Sequence, residues 1–293
     1  MLGSSPTNDL SRFAVPVALF STAFFAGTLL LAKVLGADGL SPFQVSAGRF
    51  VFGLIALGFY CALRPSEFPK FDHVPWRSHF FRSICGWLGA SCMFGAAIFM
   101  PLGEATAISF LNPLVAMALA AFFLNEALNL SKYLAALFGV LGAILILRPG
   151  IEAIQPAALF AFGAAIFLGV EAIFIKQLSD REPLVRVLLI NNFIGSVVAS
   201  LTAFFFWNAT PDLKQWSLLI VLGATMVFGQ SLFVRAMKWG EASQISPVLY
   251  AVLVFTAVYD YLFFGEILSF WSALGSCSIL LAAVLLSAGS RHG

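Results

Sequence analysis

Runs of about 20 apolar residues recur along the whole chain of 293 residues, and short polar segments separate them. Each run is long enough to cross a bilayer as a helix, which pairs all of its own backbone polar groups. Only 10% of the residues are charged and 60% are hydrophobic, whereas charged residues make up about a quarter of a soluble domain. The chain is therefore predicted to be an all-α integral membrane protein, with loops too short to hold a soluble domain.

Turn-forming and charged residues divide the apolar sequence into ten predicted spans. The predicted spans are 14–35, 43–63, 77–100, 104–125, 130–147, 156–178, 184–206, 215–236, 241–264 and 269–287. The division between the fourth and fifth spans depends on Asn125-Glu126 and Asn129 alone. All the tryptophans except Trp87 fall at the end of a span, where amphipathic rings prefer the membrane interface.

One stretch of the first half occurs again in the second half. LGASCMFG at 88–95 matches LGATMVFG at 222–229, and GEATAIS at 103–109 matches GEASQIS at 240–246. Each half holds five predicted spans, and an odd number forces two related halves to insert in opposite orientations. Such inverted repeats are common among secondary transporters. The predicted units are a tail at 1–13, five-helix repeats at 14–149 and 150–288, and a tail at 289–293.

Lysine and arginine residues are distributed unevenly between the two sides of this arrangement. With the N-terminus in the cytoplasm, twelve of the sixteen fall on the cytoplasmic side, and Lys33, Arg148 and Lys214 fall on the outer side. Because cytoplasmic loops carry an excess of positive charge, both termini are predicted to be cytoplasmic. The predicted location is the bacterial inner membrane, with the bilayer as a partner and no role in binding nucleic acid.

The order of several short motifs is similar to that of a known family. These motifs are Arg49-Phe50, Asn112-Pro113, Asn125-Glu126, Gly139 and Gly142 in the first half, and Pro247 and Gly265-Glu266 in the second. The chain resembles the drug/metabolite transporter superfamily, in its EamA-type branch of ten-helix transporters, from about residue 14 to 287. The resemblance implies a proton-coupled or uncoupled carrier of small metabolites, often an amino-acid exporter, with exporters of the YddG kind as the nearest subtype. Asn191-Asn192 stands where the first half has Arg49, so an arginine function is not duplicated.

Three ionisable residues lie inside the predicted spans, where such groups are costly and usually face a cavity or a partner. They are Arg49, Glu171 and Asp260. Glu171 is a candidate to meet a substrate amine or to take up a proton, but its nearness to Lys176 and the cytoplasmic face equally permits a solvated carboxylate.

Proline residues interrupt the fourth and ninth spans at Pro113 and Pro247. Each removes a helix hydrogen bond and frees a carbonyl group, which is tolerated in a membrane where it lines a cavity. We therefore expect the polar and aromatic residues near these points and on neighbouring spans to bind substrate. The candidates are Trp87, Ser109, Asn112, Glu171, Gln230, Ser246 and Tyr250. Trp87 is equally compatible with a lipid-facing position.

Arg49 and Asp260 lie at similar predicted depths below the outer face, roughly 10 Å and 8 Å, on different halves of the chain. A salt bridge between them would hold the outer side shut, and this pair is our predicted gate. Two other roles for Arg49 remain open, binding a substrate carboxylate and bonding to helix carbonyl groups.

No ATP-binding motif is present, and no cluster of Cys, His or acidic residues indicates a metal, a cofactor or an enzyme. His73, His79 and His292 are all predicted to lie in loops or the tail. The prediction is a secondary transporter that moves neutral or zwitterionic small organic molecules by alternating access. Amino acids, including aromatic and hydrophobic ones, are the foremost expected substrates, and export is the expected direction, by a monomer or a weak homodimer. An importer on the same scaffold is the alternative, and a membrane-embedded enzyme is a remoter one.

Overall fold

The structure is a computed structural model that describes residues 7–124, 130–147, 156–179, 182–239 and 246–289. Within these ranges every regular element is helical. The α-helices are α1 (Thr7–Ala37), α2 (Pro42–Leu63), α3 (Trp76–Phe99), α4 (Leu102–Ser109), α5 (Asn112–Leu124), α6 (Leu130–Leu147), α7 (Pro156–Ser179), α8 (Leu184–Phe205), α9 (Leu213–Trp239), α10 (Ala251–Tyr259) and α11 (Phe270–Gly289). Short 3-10 segments cover Pro65–Glu67 and Ser246–Tyr250, and a π-helical turn covers Asp260–Phe264.

Six of the described helices are long and apolar enough to cross a membrane, namely α1, α2, α3, α7, α8 and α9. Shorter apolar helical stretches cover 133–146, 248–264 and 270–282. Many large apolar side chains on these helices are exposed, such as Phe204 at 74% and Phe59 at 66%. Exposed apolar surface of this extent fits a lipid environment, so the protein is an all-helical, multi-pass membrane protein.

The predicted fourth span is two helices rather than one. Helix α4 ends at Ser109, and α5 begins at Asn112. The amide of Leu111 bonds to the carbonyl of Ile108 at 3.0 Å, which is the tighter 3-10 pattern. Pro113 explains the break, because its ring would clash with the carbonyl of Ser109, four residues earlier, and it has no N–H to donate.

The predicted ninth span is also interrupted. Its described part consists of the 3-10 segment at 246–250, α10 and the π-helical turn at 260–264. The turn ends at Gly265, whose φ of 67° is left-handed and is readily adopted only by glycine. Residues 240–245, which include the predicted start of this span, lie outside the described residues.

Helices of the first half pack mainly against helices of the second half. The principal pairs are α1 with α9, α2 with α8 and α9, α3 with α7, and α6 with α11. In the last pair the backbones meet at Gly142 and Gly275, where a Cβ atom on either residue would lie 2.6 Å from the other's carbonyl oxygen. Small residues permit this close approach of the two backbones. Van der Waals contact of this kind stabilises helix pairs in a membrane, where the hydrophobic effect does not drive helices together.

Contacts between turns define the two ends of the bundle. At one end, which we call the Asp38 end, the α1–α2 turn meets the α8–α9 segment. There Lys214 Nζ lies 2.9 Å from Asp38 Oδ2, and Gln44 Nε2 donates to the carbonyl of Ala209 at 2.7 Å. The opposite end, which we call the Lys70 end, holds the α2–α3 loop and the start of α8. Positive-inside reasoning predicts that the Lys70 end is cytoplasmic.

Candidate substrate site

Arg49 lies inside the bundle on α2 and is 8% exposed. Its guanidinium group stacks over the ring of Phe50, with 4.3 Å between the central carbon and the ring centroid. Nη1 of Arg49 has no hydrogen-bond partner among the described groups. Among the described residues, the charges of Glu171 and Arg82 act on Arg49. A buried guanidinium with a free donor is a ready site for a carboxylate ligand.

Glu171 is brought into the same region by α7. Its Oε1 lies 3.6 Å from Nη2 of Arg82 on α3, and both side chains are largely buried. Gly86 makes room for the carboxylate, because a Cβ atom there would lie 2.7 Å from Glu171 Oε1. Buried charges are costly unless they are paired. Among these three described residues one carboxylate accompanies two guanidinium groups, so one positive charge is in excess.

Several other polar atoms near these charges have no hydrogen-bond partner among the described groups. They are Arg82 Nε, Ser83 Oγ, Trp87 Nε1 and Asn191 Oδ1. Ser83 and Trp87 are four residues apart and therefore share a face of α3. A buried polar atom without a partner costs about 1–3 kcal/mol. A bound molecule at the meeting point of α2, α3, α7 and α8 thus finds donors on Arg82, Ser83 and Trp87 and acceptors on Ser83 and Asn191.

Three other predicted site residues, Ser109, Asn112 and Tyr250, lie at the two helix interruptions. The Tyr250 ring packs edge-to-face on Phe110, with centroids 5.2 Å apart, so the break between α4 and α5 contacts the 3-10 segment. Asn112 begins α5, and its carbonyl oxygen faces Gly169 of α7. The Ser109 hydroxyl donates to the carbonyl of Thr106 at 2.8 Å and is satisfied within its own helix.

Two predicted residues are not brought to either group by any described contact. Gln230 is partly buried on α9. Ser246 begins the 3-10 segment, and its side chain lies outside the described residues. The structure therefore brings Arg49, Glu171 and Trp87 into one region, which we call the Arg49 site, and groups Tyr250 and Asn112 at the interruptions.

Asp260 is not paired with Arg49 in this structure, which differs from the predicted gate. Its Oδ1 accepts a hydrogen bond from Lys33 Nζ at 3.0 Å, and its Oδ2 accepts one from the backbone N–H of Gly103 at 2.9 Å. Both carboxylate oxygens are engaged, and Asp260 is 3% exposed. Asp260 is buried, as its position within a predicted span indicated. Its partner could not be predicted in the same way, because the depths of two residues in the membrane do not show whether their helices are in contact.

Lys33 is a buried residue that the sequence interpretation missed. It was assigned to the outer side and was not counted among the ionisable residues inside the spans, yet it is 6% exposed on α1. Its ammonium group also bonds to Glu266 and lies 4.4 Å from the ring centroid of Phe264. Lys33, Asp260 and Glu266 form a cluster, which we call the Lys33 cluster, that ties the first half to the second at the Asp38 end. The sequence feature that could have indicated this burial is the apolar sequence on both sides of Lys33, which is typical of the interior of a membrane span.

The burial of His79 and Arg82 was also missed from the sequence. His79 was predicted to lie in a loop, but it is fully buried in the first turn of α3, with Nε2 3.8 Å from Glu182 Oε2. Arg82, assigned to the cytoplasmic surface, is 5% exposed and has Glu171 as its partner. Helix α3 begins at Trp76, so both residues lie inside a helix that other helices cover.

The chain matches the model of the EamA-like transporter family twice, at residues 12–148 and 155–288. An S-adenosylmethionine uptake transporter of Rickettsia bellii is 28% identical over 263 residues, 88% of this chain and 89% of that protein. The pseudopaline exporter CntI of Pseudomonas aeruginosa is 28% identical over 70% of this chain and 73% of its own length. A riboflavin transporter of Vibrio cholerae is 24% identical over 80% of this chain and 76% of its own length.

A protein of known crystal structure has the same fold. The superposition covers 95% of this chain and 97% of the chain of that protein, with a TM-score of 0.65 and 19% sequence identity. Because the two family matches together span most of the sequence, the chain belongs to the EamA-like transporter family and is a membrane transporter of small molecules rather than an enzyme.

Proposed function

We propose that the protein carries amino acids, or small molecules with an amino-acid group, across the bacterial inner membrane by alternating access. One observation carries this proposal. A carboxylate, Glu171, lies 3.6 Å from the guanidinium group of Arg82 inside the helix bundle, and Arg49 is close enough for its charge to interact with that of Glu171. A zwitterion presents the complementary pair of charges, and it adds no net charge to a site that is expensive to charge.

The chemistry assigns a role to each charged residue. The planar guanidinium of Arg49 has a free Nη1 and suits a carboxylate, which it can bind through two parallel hydrogen bonds. Among the described residues, the ion-pair partner of Glu171 is Arg82 at 3.6 Å, which is too long for a hydrogen bond, so the Glu171 oxygens can accept hydrogen bonds from an ammonium group. Trp87 supplies an N–H and a ring face for the rest of the molecule, which suits aromatic and hydrophobic amino acids.

We infer that the transport cycle depends on two inverted five-helix repeats, at 14–149 and 150–288, which form ten spans with both termini in the cytoplasm. The paired family matches and the duplicated sequence support this. The helix pairs also support this. If α1 is equivalent to α7 and α3 is equivalent to α9, the packing of α1 on α9 is equivalent to the packing of α7 on α3, and both pairs are present. One half can then tilt against the other and expose the Arg49 site to either side. The functional unit is a monomer or a weak homodimer.

Export is the direction we propose, and import is the alternative. The pseudopaline exporter relative supports the first and the S-adenosylmethionine uptake relative supports the second. S-adenosylmethionine itself carries an amino-acid group, so both directions are compatible with the same site chemistry. Transport measured in membrane vesicles of known orientation would distinguish export from import.

Counterflow into liposomes tests the substrate class. Vesicles loaded with one unlabelled compound are supplied with labelled phenylalanine, and the compounds are phenylalanine, phenethylamine, N-acetylphenylalanine and riboflavin. We expect counterflow with the zwitterion and less than a tenth as much with the two analogues, because each lacks one charge. Counterflow as strong with the two analogues or with riboflavin as with phenylalanine would overturn the proposal.

A further inference from the structure

A cavity of about 970 Å³ lies at the Lys70 end, between the second half of α2, the start of α8 and the second half of α9. Phe68 and Lys70 of the α2–α3 loop cover it. Its volume is at the upper end of the range for ligand sites, about 300–1,000 Å³. The nearest lining residue on α2, Ala56, is seven residues beyond Arg49, roughly 10 Å along the helix. The cavity therefore lies beside the Arg49 site on α8, where Leu188 lines the cavity and the carbonyl of Val187 accepts from Arg82 Nη1 at 3.4 Å, and its body extends away from that site along α2 and α9.

The mouth of this cavity is positively charged. Lys70, Arg186 and Arg235 line it, and none of the described lining residues is acidic. Arg186 is partly compensated, because its Nη1 bonds to Glu182 Oε2 at 2.8 Å behind the cavity wall, but its Nε is buried without a partner. Lys70 and Arg235 are exposed. Neither has an ion-pair partner among the described residues, and two such cations lining one cavity attract an anionic group.

The first turn of α8 adds to this charge. Leu184 and Val185 line the cavity, and Pro183 provides no side-chain cap for the helix start. The first backbone bond of the helix runs from Val187 N–H to the carbonyl of Pro183 at 3.1 Å, so the preceding amide groups are available to a ligand. The free amides and the positive end of a 22-residue helix dipole favour a phosphate or carboxylate group.

The body of the cavity is apolar and continues onto the lipid-facing surface. Ala224 and Phe228 form its α9 wall, and both belong to the same face of the helix as Ile220, since the three are four residues apart. Ile220 and Phe228 are each 50% exposed. A membrane protein's exposed apolar surface contacts acyl chains, so a molecule in this cavity can extend into the hydrocarbon beside α9. A water-soluble anion would gain nothing from that wall.

We propose that this cavity binds an anionic phospholipid from the leaflet at the Lys70 end. The phosphate lies between Lys70, Arg235 and the first amide groups of α8, and an acyl chain packs along Phe228 and Leu232. Basic recesses between membrane helices bind anionic headgroups in this manner. The occupant is a resident lipid of the folded protein and is distinct from the transported solute.

Native mass spectrometry of the delipidated full-length protein in detergent measures this binding. Phosphatidylglycerol, phosphatidylcholine and sn-glycerol 3-phosphate are titrated separately. We expect one tightly bound phosphatidylglycerol and weak, unsaturated binding of phosphatidylcholine. The Lys70→Gln, Arg235→Gln double variant should bind phosphatidylglycerol roughly thirtyfold more weakly, since each basic residue near an anionic lipid contributes about a fivefold factor. Ala224→Trp should also weaken binding by filling the apolar wall.

Two matched variants serve as controls. Arg77→Gln removes an exposed positive charge close to the Lys70 end, outside the cavity lining, and Val221→Trp adds the same ring outside the cavity on α9. Both should bind phosphatidylglycerol like the wild type. The proposal is overturned if phosphatidylcholine binds as tightly, or if Arg77→Gln weakens binding as much as the double variant. It is also overturned if glycerol 3-phosphate alone binds as tightly, because the site would then take a soluble anion.

Discussion

Replacing Lys33 with methionine should destabilise the protein more than replacing other ion-paired lysines. The Lys33 and Asp260 side chains are 8% and 4% exposed, and their charged atoms are 3.0 Å apart. Removing one member of a buried pair leaves the other charge uncompensated, at a cost of about 3–5 kcal/mol. We therefore expect Lys33→Met to lower the free energy of unfolding by about that amount, partly offset because Gly103 N–H still donates to Asp260.

Lys214 provides the matched control at the same end of the bundle. Its pair with Asp38 has a similar length, 2.9 Å, but the side chains are 66% and 34% exposed. Ion pairs between exposed side chains contribute little to stability because water screens them, so Lys214→Met should change little. Unfolding in mixed micelles by a denaturing detergent, followed by tryptophan fluorescence, measures both variants. Equal losses in the two variants would refute the reasoning, because burial would then have no effect on the value of the pair.

Three further predictions concern packing, capping and orientation. Gly275→Leu should destabilise the α6–α11 contact by several kcal/mol, because even a Cβ atom at residue 275 would lie 2.6 Å from a carbonyl oxygen. Gly58→Ala should have little effect, because no atom lies within 4 Å of the added Cβ atom, and thermal melts compare the two variants. Ser41→Ala removes a cap that accepts from Gln44 N–H and should cost about 1 kcal/mol in the same assay. A cysteine at residue 70 should react with an impermeant thiol reagent only from the cytoplasm, and one at residue 212 only from outside.

The sequence predicted the bounds of the uninterrupted spans to within three residues, because turn-forming and charged residues end the apolar runs, except that α1 begins at Thr7 rather than at residue 14. The predicted spans 43–63, 130–147 and 156–178 differ from α2, α6 and α7 by one residue at most. The breaks at Pro113 and Pro247 were recognised as interruptions, but their depth was not, so the fourth span was drawn as one helix. Proline removes a hydrogen bond wherever it stands, and tertiary packing decides whether the helix bends or ends.

The partners of buried charges could not be predicted, because a sequence does not state which helix faces which. Arg49, Glu171 and Asp260 were recognised as buried from their apolar surroundings. The pairing of Asp260 with Lys33 depends on the contact between α1 and the π-helical turn. The approach of Glu171 to Arg82 depends on Gly86, whose missing side chain leaves room for a carboxylate. Both are properties of the packed bundle.

Binding of three related compounds to the protein in nanodiscs tests the Arg49 site most directly. The compounds are the amino acid with the strongest counterflow, its primary amide and its N-acetyl derivative, measured by calorimetry with the wild type, Arg49→Gln and Glu171→Gln. The wild type should prefer the amino acid by roughly tenfold or more, since a charge-assisted hydrogen bond contributes about 1.5–3 kcal/mol.

Each variant should lose one preference and keep the other. Arg49→Gln should bind the amino acid and its amide equally, and Glu171→Gln should bind the amino acid and its N-acetyl derivative equally. A Lys214→Gln control, at the exposed pair of the Asp38 end, should keep both preferences. If Arg49→Gln and Glu171→Gln instead weaken all three compounds by the same factor, these residues do not contact the substrate charges, and the account of the site is wrong.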